Sequence, residues 1–290
     1  MKITERVEWI ERLREYTPWH PKKSSTTRRS SSAWAESKLA AYFENLTSNA
    51  IKTFARKGEA RRLHDINLLL SHFGENASRV PNTMNLEVLV PLTLFYRAHS
   101  AFNAAAALGL GGAITEAMPV LRLCLECAGY ASITHGNFAT ATVWLYRSDN
   151  DQTRAAANNA LWNSKLYESI ARRDGDLARQ YQDLQEHLTE FGAHQNELAA
   201  TSDRLLERKH SGDVLLEQVY LQDNSRRLGH GLRTASQVGV CILKIFELLF
   251  PTEFRELGIS KRIPDVAKGL DDGGFQSIER AWQMHIDSRR

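Results

Sequence analysis

Arg122 and Glu126 are the charged residues whose spacing points most directly to chemistry. They stand four residues apart in the apolar stretch 120–128, which has the period of a helix. On a helix this spacing places both side chains on one face, within reach of an ion pair. Because charges in an apolar core must be paired or used, we expect a mostly buried pair facing His194 or Tyr146. A purely structural ion pair is the alternative interpretation.

A second group of polar residues follows a predicted helix that ends near Phe191. His194 and Asn196 lie two residues apart just beyond that end, where side chains can converge as the chain turns. Histidine exchanges protons near neutral pH, so His194 is the best single candidate for acid–base chemistry. We therefore predict that His194, Asn196, Arg122 and Glu126 form a catalytic or binding site. The alternative is that His194 only caps or packs against a helix.

A basic tract near the N-terminus is a candidate for nucleic-acid binding. Residues 1–64 contain 14 Lys+Arg and 7 Asp+Glu, a net charge of +7, whereas the whole chain has +3. The candidates Lys22, Lys23, Arg28 and Arg29 lie in a Ser/Thr-rich stretch, 21–32. A flexible basic segment attracts phosphates through charge alone. The simpler interpretation is a solvated loop between helices, because four charges make a small binding surface.

The segments that must position these residues are predicted to be helices. Apolar residues recur with the helical period through most of the chain. We predict helices at about 3–16, 33–56, 59–76, 86–108, 114–134, 138–146, 152–172, 176–191, 225–250 and 275–286. In 202–221 two short runs joined by Gly and Asp favour a β-hairpin, with a continuous helix as the alternative. The predicted fold class is all-α, a multi-helix bundle with one short β-hairpin insertion.

The predicted organisation has two parts. An N-terminal helical segment, 1–75, carries the basic loop, and the main helical domain, 85–290, carries the hairpin. With 42% hydrophobic and 24% charged residues, the composition excludes a largely disordered chain. No apolar run reaches the 18 residues of a membrane span, and the N-terminus lacks the apolar region of a signal peptide. We therefore expect a cytoplasmic protein without a membrane partner.

The cysteines favour a structural role, and familiar cofactor motifs are absent. Cys124 and Cys127 form a C-x-x-C inside the predicted helix 114–134, and Cys241 stands alone. A redox or zinc C-x-x-C occurs in other contexts, so we predict buried thiols and no metal site. The sequence contains no dinucleotide-binding, Walker A, H-E-x-x-H or G-x-S-x-G motif. We expect no cofactor.

Three elements together resemble a group of uncharacterised bacterial all-helical proteins of unknown function. They are R-x-x-x-E at Arg122–Glu126, G-A-H-x-N at Gly192–Asn196, and Ala235–Cys241 with Phe246. The resemblance covers about residues 90–260. It implies an all-helical fold with a small hairpin insertion and supplies no activity.

A looser resemblance is to the helical ribonuclease domains of toxin–antitoxin and phage-defence systems. Those domains carry an Arg followed four to six residues later by a His on one helix, paired across a dimer. Arg204 and His210 are the nearest match here, although Leu205 replaces the usual polar residue and the stretch is predicted as a hairpin. The resemblance implies RNA as a partner.

Two main functions follow as hypotheses, and whether the protein is an enzyme stays open. The first is a non-enzymatic helical protein that binds a partner protein or a small ligand at a buried polar site. The alternative is a metal-independent ribonuclease, with His194 or His210 as base and Arg122 or Arg204 stabilising phosphate charge. A metal hydrolase is a third, weaker hypothesis that the ligand spacing does not support.

We also expect a homodimer. The helix predicted from Ala235 to Phe250 is apolar nearly all round, so it must be buried on several sides. A second chain could cover the sides that its own core leaves open. Alternatively, the C-terminal segment 254–286 folds back over this helix.

Overall fold

The computed structural model describes residues 37–56, 58–161, 163–193, 204–208, 214–218, 220–222 and 226–270. These residues form eleven α-helices: α1 Lys38–Arg56, α2 Gly58–Asn76, α3 Leu86–Gly111, α4 Ile114–Thr134, α5 Phe138–Leu145, α6 Asp151–Ala160, α7 Asn163–Ala171, α8 Gly175–Leu188, α9 Arg226–Leu249, α10 Pro251–Glu256 and α11 Ile259–Ala267. The predicted all-α class is confirmed. The predicted helices 3–16 and 275–286 lie outside the described residues.

Four shorter elements complete the described chain. A 3₁₀ helix spans Ala77–Arg79, and a π-helical turn, Thr189–Ala193, continues α8. Within 202–221, strands β1 Arg204–Arg208 and β2 Val214–Gln218 pair antiparallel, with Arg204 opposite Gln218.

The hairpin of α3 and α4 forms the middle of the bundle. Helix α3 runs three residues beyond its predicted end at Leu108, so Gly109 and Gly111 are helical. Gly111 is small because Leu46 of α1 packs on it, 2.5 Å from where a Cβ would stand. The turn falls at Gly112, which has a left-handed φ of 94°. A side chain there would overlap Gln222, whose N–H donates to the Gly112 carbonyl at 2.9 Å.

The central helix is α9, and its own chain covers it. It packs against α2, α3, α4, α8 and α11, and most of its residues are buried. Helices α10 and α11 were not predicted, but they are the part of the C-terminal segment that folds back over α9. The reason for expecting a dimer from this helix therefore does not hold.

The structure corrects one predicted helix. The helix predicted at 152–172 is two helices, because α6 packs against α5 whereas α7 packs against α4 and α8, which one straight helix could not do. The chain divides into compact units 1–42 and 43–290. Helix α2 packs against α3 and α9 within the larger unit.

Within the described parts of the chain, no helix is both long and apolar enough to cross a membrane.

Candidate functional site

Helix α4 carries a polar stripe at the spacing that the sequence predicted. The Nε of Arg122 lies 2.9 Å from the Oε1 of Glu126, so the ion pair is present. Their side chains are 21% and 30% exposed, which makes the pair partly buried and leaves one side open to solvent. Tyr130 follows one turn later on the same face and is also partly buried. A pair in this position can hold its arginine in a fixed orientation toward a ligand.

Two further arginines lie near this stripe. Arg97 on α3 and Cys127 on α4 lie about equally far along the chain from Gly112, which forms the turn of the hairpin. The two residues therefore stand at the same level of the hairpin. Arg147 follows α5, which packs against both α3 and α4. Both arginines lie close enough to lower the pKa of the Cys127 thiol. We call Arg97, Arg122, Arg147, Glu126 and Tyr130 the arginine cluster.

The arginine cluster has an excess of positive charge. Three guanidinium groups and one carboxylate leave a net charge of +2. Arg122 is paired with Glu126, whereas neither Arg97 nor Arg147 makes an ion pair within the described chain. The Arg147 guanidinium lies instead over the Trp144 ring, 5.3 Å from its centroid. Such a contact holds the guanidinium in place without neutralising it.

Two donors at this site remain protonated. Burial raises the pKa of the Tyr130 phenol, Glu126 raises it further, and Arg147 and Arg122 oppose the shift. The phenol is therefore a neutral hydrogen-bond donor at neutral pH. The indole Nε1–H of Trp144 is sealed from solvent and has no hydrogen-bond acceptor among the described residues. An indole N–H can only donate, so this donor is left unsatisfied within the described chain.

A second cluster of titratable groups lies where α8 and α9 meet. The rings of His187 and His230 are nearly perpendicular, with centroids 5.2 Å apart, and the Phe191 ring lies 4.5 Å from that of His187. Burial lowers the pKa of His187 to about 3, with a contribution from His230. Burial also lowers the pKa of His230 to about 4, with a contribution from Arg233. Both rings are neutral at physiological pH.

The three thiols are core residues. Cys124, Cys127 and Cys241 are free and buried, as the helical C-x-x-C predicted. Burial raises the pKa of all three thiols, to about 11 for Cys127 and about 12 for Cys241. Thiols in this state are poor nucleophiles at neutral pH. Across the described ranges, no three His, Cys, Asp or Glu side chains are grouped so that they could hold a metal ion.

Several predicted site residues lie outside the described residues. They are His194, Asn196, His210, Lys22, Lys23, Arg28 and Arg29. The described chain nevertheless leads toward one of them: the π-helical turn packs against α4 and ends at Ala193, directly before His194. Arg204 is the first residue of strand β1. The ribonuclease resemblance implies an Arg on a helix, so the position of Arg204 does not match it.

Sequence reasoning missed Arg97 and the histidine pair as parts of a site. No local spacing links Arg97 to Arg122, or His187 to His230, because each pair is brought together by packing between helices. A partial signal did exist: these are charged or titratable residues in helices with strong apolar faces.

Comparison with known proteins adds no assignment. No family model, no curated protein and no solved structure matches the chain. The functional argument therefore depends on the geometry and charge around α4.

Proposed function

We propose that the protein is a non-enzymatic helical protein that binds a ligand or partner at the arginine cluster. One observation carries the proposal: the Arg122–Glu126 ion pair is partly open to solvent, and two arginines without a carboxylate partner in the described chain, Arg97 and Arg147, both act on the Cys127 thiol next to Glu126. The cluster is partly open to solvent, so a ligand can reach it. Arginines held by an ion pair and by an aromatic ring are already oriented, which reduces the entropy lost on binding.

The protonation of nearby groups supports binding over catalysis. A general acid or base works best with a pKa near the operating pH. The groups with shifted pKa values move away from neutrality instead: upward for Tyr130 and Cys127, downward for His187 and His230. Groups with such pKa values can act as fixed hydrogen-bond donors or core residues, but they are poorly suited to proton transfer.

A metal-independent ribonuclease is the alternative function. The contact between the π-helical turn and α4 favours it, because this turn ends one residue before His194 and α4 carries Arg122. In this alternative, His194 acts as base with Asn196 beside it, and Arg122 stabilises the charge on the phosphate. The resemblance to helical toxin and phage-defence ribonucleases points the same way, with RNA as the partner.

Incubation with RNA distinguishes the two functions. Purified protein is mixed with total RNA in EDTA, comparing wild type with His194→Ala and Arg122→Gln. We expect intact RNA in every case. RNA cleavage by wild type that both substitutions abolish would establish the alternative. Arg262→Gln, at an exposed position on α11, is the matched control for loss of one arginine.

Ligand binding itself is tested by thermal shift. A panel of anionic, neutral and cationic small molecules is added to wild type and to Arg122→Gln. We expect at least one class to raise the melting temperature of wild type and to have little effect on Arg122→Gln. If no class does so, the arginine cluster is not a binding site.

Other expectations stay as proposals. They are the relationship to uncharacterised bacterial all-helical proteins, the cytoplasmic location, the homodimer, a role of 202–221 as a hairpin insertion, and nucleic-acid contacts by Lys22, Lys23, Arg28 and Arg29. Light scattering against the single-chain mass of 32.8 kDa tests the homodimer.

A further inference from the structure

We propose that the protein forms a two-fold dimer through one face of α1, where the helices of two copies pair antiparallel. The face comprises Phe43, Thr47, Ala50 and Phe54, which we call the α1 stripe. All four residues belong to the compact unit 43–290. The inference does not depend on ligand binding at the arginine cluster, because it concerns a different surface.

The α1 stripe is an exposed apolar face. On a helix its four residues fall within an arc of about 60°. Phe43 is 48% exposed and Phe54 is 42% exposed, and Ile51 beside them is 68% exposed. Thr47 is exposed and Ala50 is partly buried. Large apolar side chains that are exposed together on one face, rather than scattered singly, are typical of an interaction surface.

Another face of α1 packs against its own chain. Leu46 packs on Gly111 at the end of α3, and the Nδ2 of Asn49 donates to the Gly111 carbonyl at 3.4 Å. Thr53 on the same face is buried. This face lies about 100° around the helix from the α1 stripe. The core contacts of α1 therefore hold the helix in place while the stripe faces solvent.

The spacing within the α1 stripe argues for a second copy of this chain as the partner. The intervals between Phe43, Thr47, Ala50 and Phe54 are four, three and four residues, so the stripe reads the same in both directions. Antiparallel pairing then places Phe43 opposite Phe54 of the partner subunit, and Thr47 opposite Ala50 of the partner subunit. A two-fold dimer requires a self-complementary surface of this kind, whereas binding to a different protein does not.

The side chains of the α1 stripe are suited to burial in such a contact. None of them is charged. The Oγ1 of Thr47 donates to the Phe43 carbonyl at 2.9 Å, so burying this hydroxyl leaves no unpaired donor. Small residues in the middle of the stripe allow two helices to approach closely. The Phe54 ring packs edge-on against His64 of α2, with ring centroids 5.8 Å apart, which orients it before association.

The size of this contact predicts a weak dimer. From Phe43 to Phe54 the helix rises about 17 Å, and a helix with its side chains is about 10 Å wide. A standard interface buries about 800 Å² on each partner, which is more than one such face provides. We therefore expect reversible association, with a Kd of about 1 µM or higher.

Analytical ultracentrifugation of the full chain over a wide range of concentration tests the dimer. We expect the mass to rise from the 32.8 kDa of one chain toward twice that value. Phe54→Glu should raise the Kd by about tenfold or more, because two-fold symmetry removes the same contact twice. Lys52→Glu is the matched control, since it adds the same side chain at an exposed position on the far side of α1. It should leave the Kd unchanged.

A second set of variants tests the antiparallel register. Thr47→Lys and Ala50→Glu each place a charge in the apolar contact, so each alone should weaken the dimer. The double variant should dimerise again, because position 47 of one chain lies opposite position 50 of the other and the added charges have opposite signs. Thermal unfolding of dilute samples shows whether each variant folds. We expect melting temperatures close to that of wild type.

Four results would overturn the inference. A mass of one chain at every concentration would exclude the dimer. Dimerisation that survives Phe54→Glu would place the interface elsewhere. Failure of the double variant to recover would exclude the antiparallel register. A monomer whose melting temperature falls with Phe54→Glu and not with Lys52→Glu would mean that another part of the same chain covers the α1 stripe.

Discussion

Burial sets the protonation of the two histidines that α8 and α9 bring together. In the unfolded chain a histidine has a pKa near 6.5, whereas in the folded protein the pKa values are about 3 for His187 and about 4 for His230. The unfolded chain therefore binds protons at a higher pH than the folded one does. The two neutral rings make their full contribution to the free energy of unfolding above about pH 6.5. That contribution is lost as the pH falls toward 4.

We predict a marked loss of stability between pH 7 and pH 4.5. Each of the two histidines should contribute roughly 2 kcal/mol to that loss, because about two pH units separate 4.5 from the unfolded pKa. Urea unfolding at both pH values measures the difference. His230→Gln should reduce the loss by about half.

The control for this prediction is His72→Gln. His72 is exposed on α2, so its substitution should leave the pH dependence as it is in wild type. An unfolding free energy of wild type that is equal at both pH values would contradict the buried neutral pair.

The residues of the arginine cluster show how far sequence reasoning reaches. The Arg122–Glu126 pair was predictable because two residues four apart on a helix meet whatever surrounds them. Their partial exposure was not predictable, since it depends on which helices pack beside α4. Arg97 and Arg147 needed the tertiary structure, because one comes from the other arm of the hairpin and one from the turn after α5.

Helices α4 and α8 approach closely where α4 has a glycine. A Cβ at Gly129 would stand 2.5 Å from the Oη of Tyr181 and 3.1 Å from its Cζ. Tyr181 is buried, and its hydroxyl also accepts a hydrogen bond from the Nε2 of Gln185 at 3.1 Å. The tyrosine has little room to move away, so the contact sets the distance between the two helices.

We predict that Gly129→Ala destabilises the protein by about 1–3 kcal/mol through overpacking. Tyr181→Phe removes the clashing oxygen, so the double variant should recover part of that loss relative to the sum of the single variants. Chemical denaturation of the four proteins in this cycle gives the interaction free energy.

Gly229→Ala is the matched control on α9. Nothing lies within 4 Å of a Cβ at Gly229, so this substitution should be neutral or stabilise the helix by about 0.5–1 kcal/mol. Equal destabilisation at Gly129 and Gly229 would show that helix packing is not the cause.

The helices themselves were predictable to different degrees. The bounds of α4, Ile114–Thr134, agree with the prediction because its apolar period is uninterrupted and the preceding glycines mark its start. The break between α6 and α7 carried no glycine or proline, so only the packing of each helix against different neighbours reveals it. Helices α10 and α11 are six and nine residues long, and such short segments have a weak periodic signal.

The larger compact unit, 43–290, contains a central helix, α9, that helices of the same chain cover. We predict that the thermal unfolding midpoint stays constant over a hundredfold range of protein concentration, because helices of the same chain cover α9. Folding that depends on a dimer would make the midpoint rise with concentration.

Calorimetry and circular dichroism at several concentrations measure this midpoint. Light scattering on the same samples shows whether the protein self-associates at all. A constant midpoint together with a dimeric mass would mean that folded chains associate through another surface. A midpoint that rises with protein concentration would contradict the prediction that the unit folds without a second chain.

The hydrogen bond between Gln222 and Gly112 has a consequence for evolution and engineering. Two points of the chain are anchored on the hairpin of α3 and α4: the π-helical turn that ends at Ala193 packs on α4, and Gln222 is hydrogen-bonded to the loop between α3 and α4. Both anchor points therefore belong to one rigid hairpin. A change in the length of the loop between α3 and α4 would therefore also displace the segment at Gln222, so this loop should tolerate insertions poorly.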